Sequence, residues 1–163
     1  MPMADLFPHA PQYALVHSAR GALLDYCATL RPADLLAPVP AFNHSSMRDL
    51  LVHVARTYQY WLGQVGLQRP GPLPYPPDAP DLAALRGLFA AVDALVDEFG
   101  AHVAGRWLEE APYALPPAGR PLPLTPLQLF THVITHEFHH KGQVLSMSRQ
   151  LGYTPIDTDV IRT

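Results

Sequence analysis

Four of the nine histidines in this 163-residue chain fall within nine positions, in the run Thr131-His132-Val133-Ile134-Thr135-His136-Glu137-Phe138-His139-His140-Lys141-Gly142-Gln143. On a helix turning about 100° per residue, His136 and His140 lie about 40° apart, and His132 and Gln143 share their face. Two imidazoles at i and i+4 can aim at one point, which is the geometry of a metal chelate. A third donor has to come from another element. His53 stands in the apolar run Leu50-Leu51-Val52-His53-Val54. Its apolar neighbours Met47, Leu50, Val54, Tyr58 and Trp61 centre about 100° away, so His53 borders the core-facing stripe, as a residue lining a cleft between helices does. Alone, such a histidine reads as a hydrogen-bonded core residue. Beside His136 and His140 it reads as the third ligand.

The other histidines carry less. His132, one turn before His136, is either an orienting donor or simply a cleft residue. His139 lies about 60° from His136 and serves a local hydrogen bond. His9, His17, His44 and His102 have no partner at ligand spacing.

The segment His136-Glu137-Phe138-His139-His140 also fits the H-E-x-x-H pattern of zinc proteases, in which the glutamate activates metal-bound water. The rest of that site is missing. No glutamate follows Glu137, and the extended pattern would need glycine and histidine where Gln143 and Ser146 stand. Glu137 is about 100° from His136 and either orients a neighbour or moves protons. Thr57 and Tyr60 share the His53 side of their helix and, with Gln143, complete the candidate cleft residues.

What must position these residues is legible in the prolines. The nineteen prolines cluster at 2–11, 32–40, 70–80 and 112–126, with Pro155 beyond. Proline is expelled from helix interiors by its missing N–H and its clash with the preceding turn. The four intervening stretches therefore read as four helices joined by proline-rich loops, an all-α four-helix bundle in one domain over 1–163. The first covers about 12–30. The second is capped by Ser46 and Asp49 and runs to Gly63 or slightly beyond. The third, with Asp78 three residues before Asp81, continues to about Leu108. The fourth opens on Thr125-Pro126-Leu127-Gln128 and ends at Leu151-Gly152. Residues 113–124 are the one stretch that could form a short hairpin.

Composition narrows the function. Hydrophobic residues are 48% and charged residues 15%, a globular balance. The net charge is −3 and no basic run occurs, which argues against nucleic acid as a partner. Residues 1–9 lack a leader pattern, and no apolar run spans a membrane, so a cytoplasmic location is expected. The single cysteine, Cys27, lies in an apolar-periodic stretch and reads as a buried structural thiol.

Leu50-Leu51-Val52-His53-Val54 and His132-x-x-x-His136-Glu137-x-His139-His140-Lys141-Gly142-Gln143 together resemble the DinB/YfiT-like family of metalloenzymes, which is unrelated to the translesion polymerase of similar name. The resemblance runs from about Leu15 to the Gly152-Tyr153-Thr154-Pro155 exit. It implies an up-up-down-down four-helix bundle, usually dimeric, with His53, His136 and His140 holding zinc or nickel. Some relatives are S-transferases or isomerases using bacillithiol, mycothiol or glutathione. Lys141 stands where arginine is common, and Asp157 and Asp159 follow in the tail.

Three imidazoles leave an open metal position, as catalytic sites do, and Cys27 is badly placed to close it. A metal-dependent transferase acting on a small molecule with a low-molecular-weight thiol is therefore expected. The alternatives are a metal-stapled bundle that works through partner binding, and a metal-dependent hydrolase. A homodimer is expected because Leu127, Ile134, Phe138 and Leu145 oppose the histidine face of the fourth helix and need cover, from loops or from a second subunit.

Overall fold

The computed structural model describes residues 9–117 and 119–162. The residues that lack a leader pattern lie almost wholly outside that range. Among the described residues, α1 spans His9–Ala28, a short α2 spans Pro32–Leu35, α3 spans Met47–Tyr58, α4 spans Leu82–His102 and α5 spans Pro126–Gln150. Two three-residue strands, β1 (Ala111–Tyr113) and β2 (Leu122–Leu124), pair antiparallel and form the hairpin that the loop between the last two helices allowed. No helix among the described residues is long and apolar enough to cross a membrane.

Local sequence explains where the helices that carry the histidines begin. Ser46 Oγ accepts from the Asp49 backbone N–H at 3.1 Å, and Asp49 Oδ2 accepts from the Ser46 N–H at 2.9 Å. Thr125 and Gln128 make the same reciprocal pair at the head of α5, at 3.2 and 2.7 Å. Each box satisfies two backbone donors that a helix start would otherwise leave unpaired. The third long helix starts later than its sequence suggested. Asp81, not Asp78, accepts from Ala84 N–H, while Asp78 closes a 3-10 turn by accepting from Tyr75 N–H. It also ends at His102, six residues before Leu108. At the end of α5, Gly152 takes a left-handed φ of 91°, a conformation glycine adopts without steric cost.

The second long helix is not uniform. From Gln59 to Gly66 it continues α3 as a π-helix, in which Leu67 N–H reaches back five residues to Leu62 O. Such widened turns are uncommon and cluster at functional sites.

In the bundle, α1 and α3 each pack on both α4 and α5. Cross-helix pairs fix the directions. Tyr13 meets Phe130, Arg20 meets Glu137 and Tyr26 meets Ser148, so α1 and α5 run parallel. Asp25 meets Arg86 and Tyr13 meets Asp93, so α4 opposes α1. His53 meets His140 and Trp61 meets His132, so α3 opposes α5. The order is therefore up-down-down-up, which corrects the up-up-down-down arrangement the family resemblance implied.

The core contains a polar island. Arg20, 3% exposed, forks onto Glu137 through Nε (2.7 Å) and Nη2 (2.9 Å), and reaches Asp93 through Nη1 (2.7 Å). Tyr58 donates to Glu137 Oε2 at 2.5 Å and Tyr13 donates to Asp93 at 2.7 Å. All four long helices contribute. Burial dominates the titration of the two phenols and holds both well above the usual tyrosine range. Cys27 is buried and its thiol is pushed up to about 12, which leaves it inert as a nucleophile.

The face of α5 opposite the histidines is covered within the chain: Ile134 is buried, and Leu127, Phe138 and Leu145 pack against the core. Lys141 helps fix the C-terminal segment there, donating from its buried Nζ to Thr158 O (2.7 Å) and Asp159 (3.0 Å).

Candidate metal centre

His53 from α3 and His136 and His140 from α5 present ring nitrogens that all lie within 4.8 Å of one another. Ring centroids are 5.0 Å apart for His53–His136, 4.9 Å for His53–His140 and 4.4 Å for His136–His140. The i, i+4 spacing on α5 sets the last distance, and the antiparallel packing of α3 supplies the third ring.

The donor set suits a divalent cation. A tetrahedral zinc with bonds of about 2.0–2.1 Å would separate two nitrogens by roughly 3.3 Å. His136 Nε2 and His140 Nε2 stand 3.2 Å apart. Gln143 Oε1 lies 2.7 Å from His140 Nδ1. A carbonyl oxygen can only accept, so His140 carries its proton on Nδ1 and turns the Nε2 lone pair toward the triad. His136 Nδ1 is buried with no hydrogen-bond partner.

Electrostatics keeps the rings neutral, the form that binds metal. Burial, then the neighbouring His140 and His53, lowers His136 to about 4. His53 is lowered by burial and by Arg56, and His140 by burial, against the raising effect of Gln143.

Two results are expected. Gln143→Ala should weaken zinc binding by about 10- to 100-fold, the usual effect of removing an orienting partner, as measured by competition with a chromogenic chelator. Metal-free protein should lose thermal stability as pH falls from 6.5 toward about 4. In that window the unfolded chain takes up a proton on His136 that the folded chain refuses, whereas above 6.5 both forms are neutral and the effect vanishes. Melting curves of chelator-treated protein across that range measure it.

Beside the triad opens a cleft of about 890 Å³, lined by His53, Thr57, Tyr60, Trp61, His132 and His136 among others. The Thr57 and Tyr60 hydroxyl protons are already engaged. Thr57 donates to His53 O (2.9 Å) and Tyr60 donates to Pro116 O (2.9 Å), which ties the 114–117 segment over the cleft. Gln143 does not line the cleft; it backs His140. Glu137 is not in the cleft either. Its carboxylate turns into the core, held by Arg20 and Tyr58, and so has neither the orientation nor the freedom to serve the site. His139 touches His140 at 4.9 Å between centroids but stands outside the triad. His132 stacks near His136 (5.8 Å) and meets Trp61 edge-on (4.9 Å), which makes it a cleft residue. Asp159 is taken up by Lys141, and Asp157 accepts from Asp159 N–H.

Trp61 is the clearest departure. Its place in the helical stripe put it with the core, and it does pack there, but it also lines the cleft. Within the π-helix each residue advances by less than the α-helical angle, and Trp61 swings toward the His53 side. Arg56, Gln64 and the 68–73 wall were also missed. Spacing alone put Arg56 on the His53 side; the wall is a tertiary feature.

The sequence matches the model of the DinB family over residues 8–163. The chain belongs to the DinB family. No curated protein matches it in sequence. As a DinB-family protein it is a helical bundle whose three clustered histidines are compatible with metal binding.

Proposed function

We propose that this DinB-family chain binds one divalent metal ion, zinc or nickel, through His53, His136 and His140, and acts as a metal-dependent transferase that uses a low-molecular-weight thiol. The observation that carries the reading is a triad of neutral imidazoles, without a fourth protein donor among the described residues, at the edge of a large cleft. A divalent ion there supplies Lewis acidity that favours a bound thiolate over the thiol. Gln143 orients His140, the aromatic faces of Tyr60 and Trp61 offer an apolar seat for an electrophile, and Pro70 and Leu73 extend the apolar lining. The chain needs a thiol from outside, because Cys27 is buried and protonated.

Two observations weigh against the alternatives. A stapling metal is redundant where Tyr58 on α3 already bonds Glu137 on α5. A hydrolase of the H-E-x-x-H kind needs Glu137 as base, and that carboxylate is occupied in the core. A homodimer, as the family resemblance implies, located in the cytoplasm completes the proposal.

The test is turnover of a chromogenic aryl electrophile by metal-loaded protein with bacillithiol, mycothiol or glutathione, uncatalysed conjugation subtracted. Acceleration by at least one thiol, abolished by chelation, is expected. No metal-dependent acceleration with any of the three would overturn it, and thiol-indifferent hydrolysis would favour the water reading.

A further inference from the structure

Apart from histidines, Arg56 is the one ionisable cation or anion lining the cleft among the described residues. It lies one turn beyond His53 on α3, so its stem rises on the same face as the triad. Its surroundings differ from those of five other arginines in the protein. Arg20, Arg31, Arg48, Arg69 and Arg86 each meet a carboxylate. Arg56 meets none: its guanidinium stacks on Tyr75, 4.5 Å from the ring centroid, and Nη1 makes a single long contact of 3.4 Å with Pro74 O. Stacking covers one face of the guanidinium and fixes its plane, while the in-plane N–H donors are left for a partner. None of its nitrogens is buried without a partner, so the remaining N–H donors meet solvent, where the oxygens of a ligand can replace water.

The rest of the cleft says what such a ligand looks like. Tyr60, Trp61, Leu73, Pro116 and Pro117 give the same cleft apolar and aromatic walls, and no second arginine or lysine joins Arg56 there. One planar cation matches one planar monoanion, bound by two parallel hydrogen bonds.

Resting on the reading of this cleft as the ligand site of the metal centre, we propose that Arg56 is its anion-recognition residue and that the small molecule bound there carries a carboxylate. The carboxylate forks onto the Arg56 guanidinium, the flat or unsaturated body lies against Tyr60 and Trp61, and the reacting end is thereby directed to the triad. The carboxylate can come from the electrophilic substrate or from the thiol cosubstrate, and two probe pairs separate these sources.

The experiment titrates metal-loaded, full-length protein with trans-cinnamate against cinnamamide, and with 3-mercaptopropionate against 3-mercaptopropionamide, by calorimetry. In at least one pair the acid is expected to bind about tenfold or more tightly than its neutral amide. The cinnamate pair identifies the substrate as the carrier and the mercaptan pair identifies the thiol. In Arg56→Gln that ratio should fall to near one. Arg56→Lys should keep only part of it, since an ammonium offers charge without the planar fork. A ratio near one for both pairs in the wild type would overturn the proposal. So would a ratio that survives Arg56→Gln, because the carboxylate would then be bound by the metal, and so would tighter binding of phenyl phosphate than of cinnamate. Metal content of each preparation is measured separately: wild-type protein without a bound ion would sink the triad reading, while the cinnamate pair would still judge Arg56. Unchanged melting curves and metal content in Arg56→Gln and Arg56→Lys separate a lost contact from a lost fold.

Discussion

His136→Ala protein is expected to bind zinc more than about 100-fold more weakly than the wild type, because loss of a mere orienting partner already costs 10- to 100-fold. His53→Ala and His140→Ala should behave alike, since each removes one of three donors that lie within 4.8 Å of one another. His139→Ala should not, although it is adjacent to His140 in sequence and its ring touches the His140 ring. The contrast matters more than any single value. Elemental analysis after dialysis, with one ion per wild-type chain and little in the three triad variants, is the expected pattern. Full retention of the ion in His53→Ala would rule out the inter-helix site, since only α5 would then be binding.

Glu137→Ala should be the most destabilising single change at any of the motif residues, at about 3–5 kcal/mol, the usual effect of leaving a buried ion-pair partner alone. For a domain of this size that corresponds to a drop in melting temperature of about 10 °C or more. The cause is Arg20, whose buried guanidinium loses two hydrogen bonds while Tyr58 loses its acceptor. Arg20→Ala should cost a similar amount, and the double variant should cost clearly less than the sum, because each single change strands the other partner. Glu137→Gln should retain its metal. The alternative outcome is distinctive: a glutamate working as a catalytic base would leave the melting curve of Glu137→Gln unmoved and abolish turnover.

The sequence made the histidine triad legible because its strongest clue is local. The spacing of His136 and His140 by four residues is a property of any helix, and the Ser46–Asp49 and Thr125–Gln128 boxes mark helix starts within four positions. The same local rule was ambiguous at the third helix, where Asp78 and Asp81 both offered a cap and only Asp81 serves α4. Glu137 was misplaced for a different reason. Its partners are 117 and 79 positions away, so only tertiary packing could show that a residue beside a ligand faces the core. A signal was nonetheless present: Phe130, Val133 and Val144 share its stripe on α5, and Val16, Leu23 and Cys27 share the stripe of Arg20 on α1. An acid and an arginine, each set in a stripe of buried apolar residues, are a pair waiting to be matched. Helix direction left no comparable local mark.

The widened turn from Gln59 to Gly66 bears on how this chain is compared with its relatives. A π-helix holds an extra residue in each hydrogen-bonded loop, so it acts like an insertion that leaves no loop behind. Residues before 59 keep the phase set by Ser46, whereas those from 60 onward follow a phase displaced from it. A relative whose helix stays α throughout would present a neighbouring position of its sequence to the cleft where this chain presents Trp61 or Gln64. Equivalence along this helix is then a matter of spatial position, and a gap-free alignment through residue 59 would pair cleft residues of one protein with core residues of another.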